Sequence, residues 1–267
     1  MSPSLSSPRI AIIGAGIIGL SCAWELAKRG AHVTLFDSGF YPGRGASWAA
    51  AGMLAPAYEA AAEPGVNPRL FDLCLKSARQ WIDMSGAIAA VTRRDVLHSI
   101  GPSLAVAQTA EDRIQLAGLA KALTARKIAF DVLSPDEAVQ AEPCLRVGNK
   151  GALRLPTDGQ VDNRLLVEAL IRALESQERV AFVTGTAPLA LVQGKIVLDG
   201  FDRVIFAAGW ETASVTVGEV PLGDIAPMLR KIEPVAGHML SFNRLPDGPA
   251  MTVRAGALYI VPKAGRL

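Results

Sequence analysis

A chain of 267 residues, half of them hydrophobic, can bury the core of one large domain or two modest ones. Its formal charge of +2 is spread without a basic run, which argues against nucleic acid as a partner. Cys22, Cys74 and Cys144 have no CxxC spacing, so they argue against a structural metal and fit a reducing, cytoplasmic compartment.

The N-terminus, MSPSLSSPR, is a short polar tail from which no signal peptide follows. The apolar stretch IAIIGAGIIGLSCAWELA carries three glycines at fixed spacing and is followed by Lys28 and Arg29. That pattern predicts a strand over Arg9–Ile13, a turn and a helix over 17–29, and excludes a membrane span. A second apolar strand over 31–37 completes a βαβ unit. Helices are expected over 67–86, with Leu70, Leu73, Ser77 and Trp81 on one side, and over 111–126, with Leu116, Leu119, Ala120 and Leu123 inside. Short strands are expected at 103–108 and 151–155. Asp162 can cap a helix running to about Ser176, with Leu165, Leu166, Ala169, Leu170 and Ala173 inside. Strands follow at 180–184, 189–193, 195–198 and 203–207, then at 238–242, 251–254 and 258–261.

This order is α/β first, mixed in the middle and antiparallel at the end. It predicts a Rossmann-like nucleotide-binding domain (residues 1–85 and 151–216) interleaved with an α+β substrate domain (residues 86–150 and 217–267) built on a mostly antiparallel sheet.

Gly14-Ala15-Gly16-Ile17-Ile18-Gly19 is GxGxxG, placed after a strand and at the opening of a helix, and Asp37 ends the second strand. That context is the dinucleotide fingerprint. Gly14 permits the tight turn, Gly16 lets backbone approach a pyrophosphate, and Gly19 lets the helix pack on the strand. The helix N-terminus at Ile17 and Ile18 supplies the positive dipole end. Asp37, with Ser38 beside it, can accept hydrogen bonds from ribose hydroxyls. The motif serves both NAD and FAD enzymes. The bare segment ASWAAAGMLAP at 46–56 can lie flat against a large planar ligand or pack as a small-residue helix in a tight core.

Six stretches together carry a resemblance: IAIIGAGIIGLSCAWELAKRG, ASWAAAGMLAP, DGQVDNRLL at 158–166, VIFAAGW at 204–210, PVAGHML at 234–240 and YIVPK at 259–263. The chain resembles the D-amino-acid oxidase superfamily of FAD enzymes and, within it, the glycine oxidases of thiamine biosynthesis. The resemblance implies FAD, with Gly14, Gly16 and Gly19 at its pyrophosphate and Asp37 at the adenosine ribose. It places Gly45, Ala46 and Ser47 at the diphosphate and ribityl region, and Ala51, Gly52 and Met53 along the isoalloxazine. Leu189 matches a backbone contact to adenine, and Ala207, Ala208 and Gly209 match a strand end close to FAD. Tyr259 matches a tyrosine lining the substrate pocket, the candidate catalytic residue. It implies oxidation of glycine or another small amino acid or amine by dioxygen, through an imine to an oxo acid, ammonia and hydrogen peroxide.

His238 stands where the family has glutamine or arginine and reads as a structural or surface histidine; His32 and His98 read as fold residues. Arg254, near Tyr259 in sequence, could reach a carboxylate, but reads first as a solvated strand-end arginine. Tyr259 and Val261 are expected to face the pocket, with Leu258 and Ile260 against a hydrophobic layer behind. Relatives continue for roughly another hundred residues, a length in keeping with a full two-domain enzyme. That segment carries the arginine expected to clamp a substrate carboxylate, so little turnover is expected of residues 1–267 alone. Two alternatives stand beside the oxidase: an FAD-binding remnant without turnover, and an NAD-linked dehydrogenase or nucleotide-binding regulator. No metal is implied, and the number of copies in an assembly is left open.

Overall fold

The computed structural model describes residues 7–39, 41–62, 68–145, 148–243 and 246–263. The chain divides into two compact units: residues 1–50, 90–94 and 163–239 form one, and residues 51–89, 95–162 and 240–267 the other. These cuts fall at different places from the sequence-based boundaries after residues 85, 150 and 216.

The first unit opens with β1 (Arg9–Ile13), α1 (Ile17–Lys28) and β2 (His32–Asp37). The continuous apolar run makes β1 a strand buried on both faces, with Ala11 and Ile12 fully enclosed. α1 buries Leu20, Ala23, Trp24 and Ala27, a spacing that follows the helical period. A short α2 (Ala46–Ala49) ends this stretch.

The second unit takes over with β3 (Met53–Leu54), α3 (Pro56–Ala62) and the long α4 (Pro68–Thr92). α4 runs six residues beyond the expected end at Gly86. Its expected start, Asn67, lies outside the described residues. The buried side of α4 is marked by Phe71 and Ile88, whereas Leu70 and Leu73, expected together on one side, are exposed. The helix is amphipathic, but its apolar stripe is rotated from the one the sequence suggested. β4 (Ser99–Ile100), β5 (Ser103–Val106), α5 (Ala110–Ala125), β6 (Asp131–Leu133), α6 (Pro135–Ala141), β7 (Ala152–Leu155) and β8 (Gly159–Gln160) follow. Both middle helices start on capping boxes, Thr109 with Asp112 and Ser134 with Glu137.

The chain then returns to the first unit through α7 (Asn163–Glu175), β9 (Val180–Thr184), β10 (Ala190–Val192), β11 (Lys195–Val197), β12 (Arg203–Phe206), β13 (Thr216–Val217), β14 (Val220–Pro221) and α8 (Leu222–Ile225). It closes in the second unit with β15 (Thr252–Ala255) and β16 (Leu258–Ile260). The alternation at 238–242 predicted a further strand, but this stretch is irregular backbone, with Met239, Leu240 and Phe242 exposed. Alternation of side chains alone does not make a strand.

In the first unit, β12, β1, β2 and β9 form a parallel sheet in that order. Ala11, Ile13 and Phe36 carry one face into a cluster with Leu189, Leu198, Val217 and Leu222. In the second unit the order is β16-β15-β5-β7-β6. Only the β15–β5 pair is parallel; the others are antiparallel. One face holds Ala105, Leu153 and Leu155 with Ala57 of α3 and Leu119 and Leu123 of α5. The other holds Leu104, Val106, Ala152 and Val253 with Ala138 of α6. β8 also bridges β3 and β4 in a separate three-stranded sheet. The architecture is mixed α/β, with a parallel sheet in one unit and a mostly antiparallel sheet in the other.

Candidate functional site

In the first unit the fingerprint residues gather at the carboxyl ends of β1, β2 and β12. Gly14 has φ +106°, a backbone closed to ordinary side chains, and a Cβ there would stand 2.5 Å from the Ala207 carbonyl oxygen. Ala207 N–H in turn donates to Ile13 O at 2.7 Å, and Gly14 N–H to Phe36 O at 2.7 Å. The turn and the Ala207-Ala208 strand end are therefore packed backbone to backbone. A Cβ on Gly19 would collide with the carbonyl oxygen of Gly14, so the helix reaches the turn only because residue 19 is bare.

Gly16 precedes α1 at φ −71°, a conformation open to any residue, and no side chain of its own caps the helix. A Cβ there would stand 3.4 Å from Ser47 Oγ, an ordinary contact, so neither the backbone nor the neighbouring residues require a glycine at 16. Ser47 Oγ accepts from Ile17 N–H at 2.9 Å, which ties the 45–47 loop to the helix N-terminus. Ile17 is half-buried, Ile18 is exposed, and Gly45 and Ala46 are exposed beside Ser47. Asn163, at the start of α7, donates from Nδ2 to the carbonyls of Ser47 (2.9 Å) and Trp48 (2.8 Å). The guanidiniums of Arg44 and Arg164 lie 3.6 and 5.3 Å from the centre of the Trp48 ring. Sequence reasoning did not single out Asn163, Arg164 or Trp48 as parts of this wall. A tryptophan inside an otherwise bare segment was the available signal.

Asp37 accepts from Ala15 N–H at 2.6 Å through Oδ2 and from Gly39 N–H at 2.8 Å through Oδ1. It fixes the glycine turn from the end of β2, with Ser38 exposed next to it. Ala207 and Ala208 are half-buried, and Gly209 is exposed at φ +61°. Leu189 differs from the rest. Its N–H donates to Ala187 O (2.8 Å), its carbonyl accepts from Gly218 N–H (2.7 Å), and its side chain is in the core. The amide expected to meet adenine is already engaged within the chain.

In the second unit Ala51, Gly52 and Met53 lead into β3, and Gly52 sits at φ +73°. Met53 pairs with Gln160 and Leu54 with Gly159, and Val161 N–H donates to Gly52 O at 2.9 Å. Tyr259 lies on β16 directly opposite Arg254, so the two side chains share one face of the sheet. Tyr259 is 41% exposed, and so are Leu258 (77%) and Ile260 (46%), while Val261 is buried. The expected hydrophobic layer behind Leu258 and Ile260 is replaced by an exposed edge strand. Arg254 is not solvated: it is 5% exposed and ion-paired to Glu59.

Asp158 and His98 are among the perturbed titratable groups of this unit. Burial pushes the Asp158 carboxyl up to about 6, against the opposing pull of the Ser103 hydroxyl and the Arg254 cation. Burial lowers His98, whose Nδ1 lies 3.2 Å from Ser85 Oγ and whose ring is 5.6 Å from that of Trp81. His238 is exposed. Among the described residues no helix is long and apolar enough to cross a membrane.

Residues 9–267 match the family model of FAD dependent oxidoreductases, the DAO family. Glycine oxidase from Geobacillus kaustophilus is similar at 27% identity and a TM-score of 0.78, over 97% of this chain and 70% of that one. Iminodiacetate oxidase from Chelativorans sp. BNC1 is similar at 26% identity and a TM-score of 0.64, over 78% of this chain and 57% of that one. Glycine oxidase from Bacillus cereus ATCC 14579 shares the fold at 20% identity and a TM-score of 0.78, over 97% of this chain and 69% of its own. The family's cofactor is FAD, which sets aside the NAD-linked alternative, and the tight glycine turn that opens α1, with Gly16 bare and Ile18 exposed, fits such a dinucleotide. With that cradle and a family match over nearly its whole length, the chain belongs to the FAD dependent oxidoreductases of the DAO family.

Proposed function

We propose that this protein oxidises glycine or another small amino acid or amine, with dioxygen as the electron acceptor. The observation that carries the reading is the glycine cradle at Gly14 and Gly19, closed by Ala207 and braced by Asp37, in a chain similar to a glycine oxidase at 27% identity over 97% of its length. Gly14, Gly16, Ile17, Ile18 and Gly19 would receive the pyrophosphate at the N-terminus of α1. Asp37 and Ser38 would meet the adenosine ribose, and Gly45, Ala46 and Ser47 the diphosphate and ribityl chain. Ala207, Ala208 and Gly209 would approach the cofactor through bare backbone. In the second unit, Ala51, Gly52 and Met53 would line the isoalloxazine, and Tyr259 would present its polar tip to the substrate.

FAD, when bound, supplies the two-electron acceptor that dioxygen regenerates. The protein's share is to hold the amine and keep the backbone clear for a planar ring. A reducing, cytoplasmic setting and a supply of imine for thiamine thiazole synthesis belong to the same reading. The test is an absorbance spectrum of the purified protein before and after anaerobic addition of glycine, with hydrogen peroxide measured in air. A flavin band that bleaches with glycine supports the reading. A flavin band unmoved by any small amino acid or amine would leave an FAD-binding protein without this turnover, and a colourless protein that takes up no FAD would end it.

A further inference from the structure

The second unit contains a buried ionic centre that the proposed chemistry does not use. Arg254 on β15 is 5% exposed. Its Nη1 donates to Glu59 Oε1 at 2.6 Å, and its guanidinium lies 4.0 Å from the centre of the Tyr58 ring. Its Nε and Nη2 are buried without a hydrogen-bond partner among the described residues. The same cation acts on Asp158, which is 1% exposed. Asp158 Oδ2 accepts from Ser103 Oγ at 2.5 Å, and its Oδ1 is buried without a partner. The guanidinium is thus paired with Glu59, while Asp158 is held by Ser103 on the neighbouring strand.

The position of those two carboxylates gives the centre a purpose. Asp158 stands immediately before β8, whose Gly159 and Gln160 are the ladder partners of Leu54 and Met53. Glu59 lies in α3, which follows Leu54 after a single residue. The carboxylates therefore bracket the short β3 strand, one beside its partner and one beyond its exit. A two-residue strand is too short to hold its own register. Val161 N–H holds the Gly52 carbonyl at 2.9 Å, and Lys263 Nζ, 7% exposed, holds the Val161 carbonyl at 2.6 Å. Backbone pairing holds residues 52–54, and the two buried cations hold their flanks, Val161 and Glu59.

We infer that Arg254 is a positioning residue that fixes the Gly52–Leu54 segment by tying α3 to β15, beside the strand β5 whose Ser103 holds Asp158 at the start of β8. The inference rests on the proposed function in one respect only, that this segment lines the flavin. Arg254 itself contacts Glu59 and the Tyr58 ring. It acts by setting where the backbone of residues 52–54 lies. A lysine keeps the charge beside Glu59 but loses the fork and the stacking on Tyr58. A methionine keeps much of the volume and leaves Glu59 without its cation.

The experiment compares the full chain with Arg254→Lys and Arg254→Met by hydrogen exchange without added flavin, then by absorbance and kinetics with FAD. Exchange should accelerate about tenfold or more in peptides covering 50–62 and 158–162 of the methionine variant, with peptides of β1 and α1 unchanged. The lysine variant should fall between. Loaded with FAD, the methionine variant should keep its flavin content, shift the visible band and raise KM for glycine more than it lowers kcat. Acceleration spread evenly over the chain, or none at all, would overturn the inference, as would a displaced segment beside an unchanged flavin spectrum. If the methionine variant does not fold, the lysine variant and Glu59→Gln decide by the same exchange pattern. A wild-type chain that takes up no FAD would defeat the proposed function, while the exchange comparison would still decide whether Arg254 holds the segment.

Discussion

Replacing Asp158 with asparagine should flatten the pH dependence of stability between pH 4 and 7. The carboxyl is raised from its ordinary 3.8 to about 6 in the folded chain, first by burial and then by the nearby Glu59, against the pull of Ser103 and Arg254. Between those two values the folded protein holds a proton that the unfolded chain has released. Stability from this group is therefore fullest at low pH and is lost as pH rises through the window. At about 1.4 kcal/mol per pH unit, the loss comes to about 3 kcal/mol. In a chain of this size that corresponds to roughly 6–12 °C in melting temperature. The other carboxylates titrate in both proteins, so the difference between wild type and Asp158→Asn isolates the effect. Whatever fixed cost the new amide brings against Arg254 does not vary with pH. Thermal melts of both proteins across pH 4–7 should show the wild type losing ground steadily to the variant. Parallel curves over that range would show that Asp158 titrates as an ordinary surface acid.

The nucleotide cradle gives two further expectations. Gly14→Ala forces a side chain into φ +106° and against the Ala207 carbonyl, so it should cost at least about 1–3 kcal/mol of stability and abolish FAD uptake, read by melting temperature and flavin absorbance. Asp37→Asn leaves one acceptor where the carboxylate serves both Ala15 and Gly39. It should lower urea stability by about 1–3 kcal/mol before FAD is added and weaken FAD binding as well; unchanged values in both would remove Asp37 from the site.

The first unit was legible because its signals are local. The fingerprint, the apolar run of β1 and Asp37 at the end of β2 lie within thirty residues, and each demands the next. The second unit was less so, because its polar contacts are long-range. Arg254 read as solvated because nothing near it in sequence would bury it. Its cover comes from Tyr58 and Glu59, 195 residues from Arg254 in the case of Glu59. The strands β3, β4 and β8 have two residues each, too few to show a period of two. The stretch 238–242 shows the opposite failure, a strand pattern without a strand. Leu189 carries a similar lesson, since matching a motif position does not reveal that its amide is already taken.

Gly52 is where local geometry and proposed chemistry make the same demand for different reasons, and they can be separated. At φ +73° an ordinary side chain is strained whether or not a ligand is present. A valine there would unfold the segment and say nothing about a flavin. Alanine and asparagine distinguish the two causes. Asparagine tolerates the left-handed region better than alanine does, but it is the larger residue. If residue 52 is bare only for its backbone, Gly52→Asn should be the better tolerated variant by every measure. If it is bare because a planar ring lies against it, the order should invert once FAD is involved. The expectation is that without flavin Gly52→Asn melts at or above Gly52→Ala, while Gly52→Ala retains more FAD and a less shifted spectrum. Flavin content that simply follows the melting temperatures would remove residue 52 from the cofactor's surface and leave it a backbone glycine.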